Sequence, residues 1–204
     1  MKKILLSIAI AAISAFATSA PKTHDGFFMN ITAGIGYGSF SDDLSNGNSI
    51  EASGLQTEGD FKIGGTIFPN LILHATFQLN VIHSEFDCKS EDEHYKINHD
   101  GFNTFLFGAG LTYYFPNEQN IFVSASAGIT DYSVTFGQFS LPILDLDAGF
   151  GFVLSVGKEW WVGNEWGIGI AASFTHTSAK GEYADVKNDA STNNFSFKAS
   201  FTFN

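Results

Sequence analysis

Apolar and polar positions alternate along most of this chain with a period of two. That is the repeat of a strand whose two faces meet different surroundings. Between 27 and 37 the odd positions are Phe27, Met29, Ile31, Ala33, Ile35 and Tyr37, against Phe28, Asn30, Thr32, Gly34 and Gly36 on the even ones. The contrast recurs over 61–67, 71–81, 105–115, 121–129, 144–156, 166–174 and 195–203, which makes eight strands in all. Most approach the 9–11 residues that a tilted strand needs to cross a bilayer. The expected fold is all-β, an eight-stranded antiparallel transmembrane β-barrel of the outer-membrane type. It closes between its first and last strands because an open sheet edge is not tolerated in lipid. A soluble sandwich or lipocalin-like barrel also alternates, but its connections do not alternate strictly in length.

Here they do. Tight connections at 68–70, 116–119 and 162–164 separate longer polar ones at 39–56, 84–100, 133–142 and 178–193. Short turns are periplasmic and long loops extracellular in this architecture, which puts both termini in the periplasm. Aromatic residues mark two girdles. Tyr113, Phe115, Trp160, Trp161 and Trp166 lie beside the short turns, and Tyr37, Phe40, Phe102, Tyr132, Phe136 and Phe139 at the loop ends.

The first twenty residues have a different pattern. Lys2 and Lys3 precede an apolar run over 4–16, too short to span a membrane and followed by small residues. Residues 1–20 read as a secretory signal peptide and 21–204 as the barrel domain. Cleavage after Ala17 is preferred to cleavage after Ala20, because Pro21 suits the position after a scissile bond poorly.

Composition narrows the function. Charged residues are 15% of the chain, against about a quarter in an ordinary soluble domain. The net charge is −11, which argues against nucleic acid as a partner, and there is no arginine, which weakens the case for a dedicated phosphate or lipopolysaccharide head-group site. Cys88 is the sole cysteine, so no intramolecular disulfide forms.

Segments 111–116, 120–124, 156–162 and 166–171, which include Tyr113-Tyr114-Phe115-Pro116 and Lys158-Glu159-Trp160-Trp161, resemble an outer-membrane β-barrel domain family of double-membraned bacteria. The overall plan resembles the small OmpA and OmpX type of barrel. The resemblance implies a fold and a location, and no functional residues.

Several motifs invite chemistry. The Gly-x-Gly pairs at 34–38, 108–110, 149–151 and 167–169 lie inside strands with no helix after them, so they read as a lumen face kept small rather than a nucleotide loop. Glu58, Asp60, Lys62, Asp145, Asp147, Glu159, Glu165 and Lys198 fall on the inward face. A barrel of eight strands holds little more than its own side chains, so Lys62 and Lys198 are expected to pair with carboxylates and plug the lumen. A cation path lined by acids is the alternative. The loop bearing Cys88, Glu91, Asp92, Glu93, His94 and His99 has no defined metal-ligand spacing and reads as hydrophilic.

His176 and Ser178 share the outward face of one strand. The pair resembles that of the outer-membrane lipid A deacylase, and Glu182 or Asp189 would have to orient the histidine. The sequence therefore points to a structural or surface-interaction barrel with no enzyme activity, no cofactor and no metal. Its expected partners are outer-membrane lipids, the barrel assembly machinery and an extracellular ligand of the acidic loops, and the chain is expected to be a monomer. A small passive channel or carrier for small or apolar solutes is second, and a lipid A deacylase-like hydrolase third.

Overall fold

The structure is a computed structural model that describes residues 22–89, 94–97, 101–116, 119–136, 139–142, 146–183 and 186–204. The strands, in chain order, are β1 (Phe27–Leu44), β2 (Ser49–Phe68), β3 (Leu71–His83), β4 (Phe86–Lys89), β5 (His94–Ile97), β6 (Gly101–Tyr114), β7 (Ile121–Phe136), β8 (Phe139–Pro142), β9 (Gly149–Trp161), β10 (Trp166–Tyr183) and β11 (Val186–Phe203). Every pairing is antiparallel. Because β1 pairs with both β2 and β11, the ring β1-β2-β3-β6-β7-β9-β10-β11 closes, and β4, β5 and β8 are additions to it. The leader expected over 1–20 lies outside the described residues.

Burial is inverted relative to a soluble protein. Outward residues such as Ile35 and Phe197 are 63% and 65% exposed, whereas the inward Thr76, Thr192 and Thr202 are fully buried. A contiguous apolar band around the whole circumference, wrapped on a polar interior, needs an apolar solvent outside. A soluble barrel would have the opposite arrangement.

The strands run longer than their apolar stretches. Residues expected as the first long loop continue as strand: β1 reaches Leu44, β2 starts at Ser49, and the turn between them is closed by Gly47 at φ 88°. The last long connection is likewise strand through Tyr183 and again from Val186. The second carries the β4–β5 hairpin, which extends the sheet from β2. Outside the lipid a backbone ladder needs no apolar face, so pairing persists where alternation fades. β9 begins at Gly149 rather than at 144, and Asp147 anchors the preceding segment through its amide to the Lys180 carbonyl at 2.9 Å.

The result is lopsided. Beyond Tyr37, the last large apolar outward residue of β1, the strand continues seven residues to Leu44, about 24 Å along its own axis. β5, β4, β2, β1, β11 and β10 together form a tall wall at this end. At the opposite end the turns are tight, and Asn70 and Asn120 supply their positive φ angles (63° and 48°), which asparagine tolerates better than most residues.

Candidate functional site

The middle of the lumen is filled by a polar network. Lys198 on β11 donates to Glu58 Oε1 at 2.8 Å and to Asp60 Oδ2 at 2.5 Å, both on β2. β1 lies between these strands, and it lets the lysine across because Gly34 is inward there. A Cβ on Gly34 would come within 2.6 Å of Lys198 Cγ. Thr32 donates to Asp60, Gln78 to Glu58 at 2.9 Å, and Ser173 to Glu58 at 3.1 Å, so four strands besides β2 converge on the two carboxylates. Gln56 joins Asn80 and Ser196 above them, at 2.9 and 2.8 Å. Toward the short turns, Lys62 donates to Ser124 at 3.0 Å. Ser124 also accepts from Thr112, which bonds His74. Glu159 accepts from Tyr114 at 3.0 Å and Thr202 at 2.6 Å.

Each end of this network is capped by apolar rings. At the short-turn end Phe28, Ile72, Tyr114, Phe122 and Ala171 form one buried layer. His24, just before β1, stacks on Tyr114 with ring centroids 3.4 Å apart. Burial pushes the His24 imidazole pKa down to about 4, so it is neutral. At the other end Phe40, Ile82, Phe86, Phe102 and Tyr132 pack as a second layer with Cys88 among them. Among the described residues the polar network thus lies between two apolar layers, one toward each end of the barrel.

Of the inward charges expected from sequence, Glu58, Asp60, Lys62, Glu159 and Lys198 are buried in the lumen. Asp147 and Glu165 are exposed instead, because strand parity stops applying where the strand does: one precedes β9 and the other sits in the β9–β10 turn. Asp145 lies outside the described residues. Lys62 departs from the expected carboxylate pairing and takes the Ser124 hydroxyl.

The girdles also need correction. Tyr37, Phe115 and Trp160 face outward and are exposed, Trp166 stacks on Phe201, and Tyr113 is half-buried against Phe115. Tyr132, however, is 2% exposed and donates to Thr177 inside the lumen, and Phe40 and Phe102 are buried with it. Trp161 stacks on His24 at the lumen mouth. All four have the inward parity of their strands, so position near an end misled where the period would not have. Side chains of Phe136 and Phe139 lie outside the described residues. The same parity would have added Gln56, Gln78, Asn80, His74 and Tyr114 to the network.

The other candidates do not assemble. His176 Nδ1 is bonded to Asn193 Oδ1 at 2.9 Å rather than to an acid, Ser178 and Glu182 are exposed, and Asp189 pairs with Lys180 at 3.5 Å. In the second long connection Cys88 is turned inward, while His94 pairs with Asp87 on the outside and holds that carboxyl below its usual range. Glu91, Asp92, Glu93 and His99 lie outside the described residues, and no metal-ligating cluster occurs among the described ones.

Residues 7–203 match the family model described as outer membrane protein beta-barrel domain. No curated protein matches the sequence. Among solved structures the chain is similar to the outer membrane protein OprG from Pseudomonas aeruginosa, at 13% identity and TM-score 0.50, covering 89% of this chain and 98% of that one. Neisserial surface protein A is similar at 16% identity and TM-score 0.47, with 87% and 96% covered. Ail of Yersinia pestis is similar at 14% identity and TM-score 0.42, with 87% and 99% covered. At such identities the likeness concerns the fold. With a closed ring of eight strands, an apolar exterior and a family match over nearly its whole length, the chain belongs to the outer membrane protein beta-barrel domain family and is a transmembrane barrel of the outer membrane.

Proposed function

We propose that this barrel is a non-conducting structural or surface-interaction protein without enzyme activity, whose working face is its long-hairpin end. The observation that supports it is the side-chain packing of the lumen, with Lys198 between Glu58 and Asp60 and an apolar layer on either side. In this reading the short turns and both termini are periplasmic and the tall wall is extracellular, as the loop-length rule for such barrels favours. The wall carries exposed Asp43, Glu51, Glu85, Asp147, Glu182 and Asp189. Lys89, Lys96 and Lys180 are already engaged by Glu51, Glu85 and Asp189. The three acids left over, Asp43, Asp147 and Glu182, outnumber the further exposed lysine, Lys187 opposite Glu182, and this negative excess suits a basic partner. The chain acts as a monomer delivered by the barrel assembly machinery. Its leader is removed after Ala17, so the mature protein begins at Thr18, which intact-mass measurement reads directly.

Single-channel recording in a planar bilayer tests the role. A folded, heat-modifiable protein should give no discrete conductance steps. Reproducible steps would overturn the sealed-lumen reading and put a small passive channel in its place.

A further inference from the structure

The apolar band is not uniformly convex. Ala172 on β10 and Ala199 on β11 stand among Val156, Ile170 and Phe197, and the missing bulk leaves a groove of about 660 Å³ on the outside of the barrel. A second groove, of about 510 Å³, continues it toward Leu154, Phe174 and Phe195, and the two share Val156 and Ala172. Measured along β9 from Lys158 to Leu154, the depression runs about 13 Å into the apolar band. At its short-turn end stands Lys158. In register it is flanked by Ile121 and Ile170, and its ammonium lies 5.5 Å from the centroid of the Trp160 ring. Lys158 forms no ion pair among the described residues, unlike Lys89, Lys96, Lys180 and Lys198. A lysine on a lipid-facing strand bends its charge toward the headgroup level, and Trp160 marks that level here.

We infer that Lys158 and the groove above it form a binding site for one glycerophospholipid, the phosphate on the ammonium and an acyl chain laid along Ala172. Charge and shape agree on that occupant. The cation sits where a lipid phosphate lies, and the groove leads from it into the bilayer core, as an acyl chain does. The bound chain covers Val156, Ile170 and Phe197, which are about half exposed or more. The inference rests on membrane embedding and not on which leaflet the short turns face, so it stands or falls separately from the proposed function.

The test is native mass spectrometry of the intact folded barrel released from detergent micelles. The protein is titrated with palmitoyl-oleoyl phosphatidylglycerol and, in parallel, with the diacylglycerol bearing the same chains. One phosphatidylglycerol should be retained per barrel, at least fivefold more than diacylglycerol. Lys158→Met should lose that preference and Lys158→Arg should keep it. Ala172→Phe, which fills the groove and leaves the cation, should lower retention of both lipids. Lys180→Met, an equal change of charge at the far end, should behave as the parent. Retention unchanged in Lys158→Met, or lost equally in Lys180→Met, would overturn the site. Should Lys158→Met not fold, unchanged retention in Ala172→Phe alone would overturn it and reduced retention would support it.

Discussion

Lys198 and Glu58 are 140 positions apart in the chain and meet inside the barrel at 2.8 Å, with both side chains almost fully shielded. The two strands share no backbone ladder, since β1 stands between them and pairs with each. The contact therefore exists only once the ring has closed, and it couples the last strand to the second across the seam. A lysine at this position without its acids would be a buried, unpaired charge, which is strongly destabilising.

Lys198→Met should accordingly lower the stability of the folded barrel by about 3–5 kcal/mol, because Glu58 and Asp60 lose their cation at once. Urea titration of the protein in lipid vesicles, read by heat-modifiable gel mobility, measures it. Adding Glu58→Gln and Asp60→Asn to Lys198→Met should recover a large part of the loss, since the remaining side chains can then bond as neutral groups. A triple variant no more stable than the single one would mean that the lysine acts by packing alone.

Gly34 makes that crossing geometrically available. Its ideal Cβ position lies 2.3 Å from the Phe197 carbonyl oxygen as well as close to the lysine stem. The backbone oxygen cannot swing aside, so strain falls on the β1–β11 seam. Gly34→Val should fail to reach the compact, heat-modifiable form on refolding. Gly59→Ala, where the added methyl has only a Thr32 oxygen at 3.8 Å, should fold like the parent.

The ring of strands and its inner and outer faces were legible in the sequence because lipid and lumen impose opposite demands on successive residues. Lys62, Lys198, Glu58 and Asp60 could be assigned to the lumen by parity alone. Parity gives a direction but no partner, and so could not say that Lys62 would end on Ser124. It also says nothing beyond the strand, where Asp147 and Glu165 proved exposed. The tall wall was hidden for a different reason. Over 39–56 and 178–193 neither face must be apolar, so strand and loop leave the same trace, and only the register of Asp43 with Ser49 and with Asp189 reveals the pairing.

His24 gives the short-turn end a pH dependence. Its pKa falls from 6.5 to about 4 because burial against Tyr114 and Trp161 disfavours the charged ring. A base whose folded pKa is depressed binds its proton more readily when unfolded. Its contribution is therefore full above pH 6.5 and is lost as pH falls toward 4. From these two values the loss at pH 5 is about 2 kcal/mol. His24→Phe keeps a ring on Tyr114 and removes the titration. The stability difference between parent and variant, read from urea midpoints at pH 7.5 and pH 5, should shift toward the variant by about that amount at the lower pH. An unchanged difference would mean that the imidazole is already solvated in the folded state.

Tyr132 and Tyr37 share a residue type and an end of the barrel, yet Tyr132 is 2% exposed and Tyr37 is 61% exposed. Tyr132 packs on Phe102, with centroids 6.0 Å apart, and its hydroxyl reaches Thr177 at 2.9 Å. Removing only that hydroxyl in Tyr132→Phe should cost about 1 kcal/mol, the net worth of a neutral hydrogen bond. Tyr132→Ala also opens a void in a close-packed layer and should cost about 3–5 kcal/mol. Tyr37→Ala leaves no internal void, because lipid fills the space, and its effect should stay near 1 kcal/mol or below, as for an interfacial side chain whose contacts the bilayer replaces. Urea midpoints of the three variants in one lipid composition rank them. Equal losses at Tyr37 and Tyr132 would return Tyr132 to the membrane interface and remove it from the upper seal.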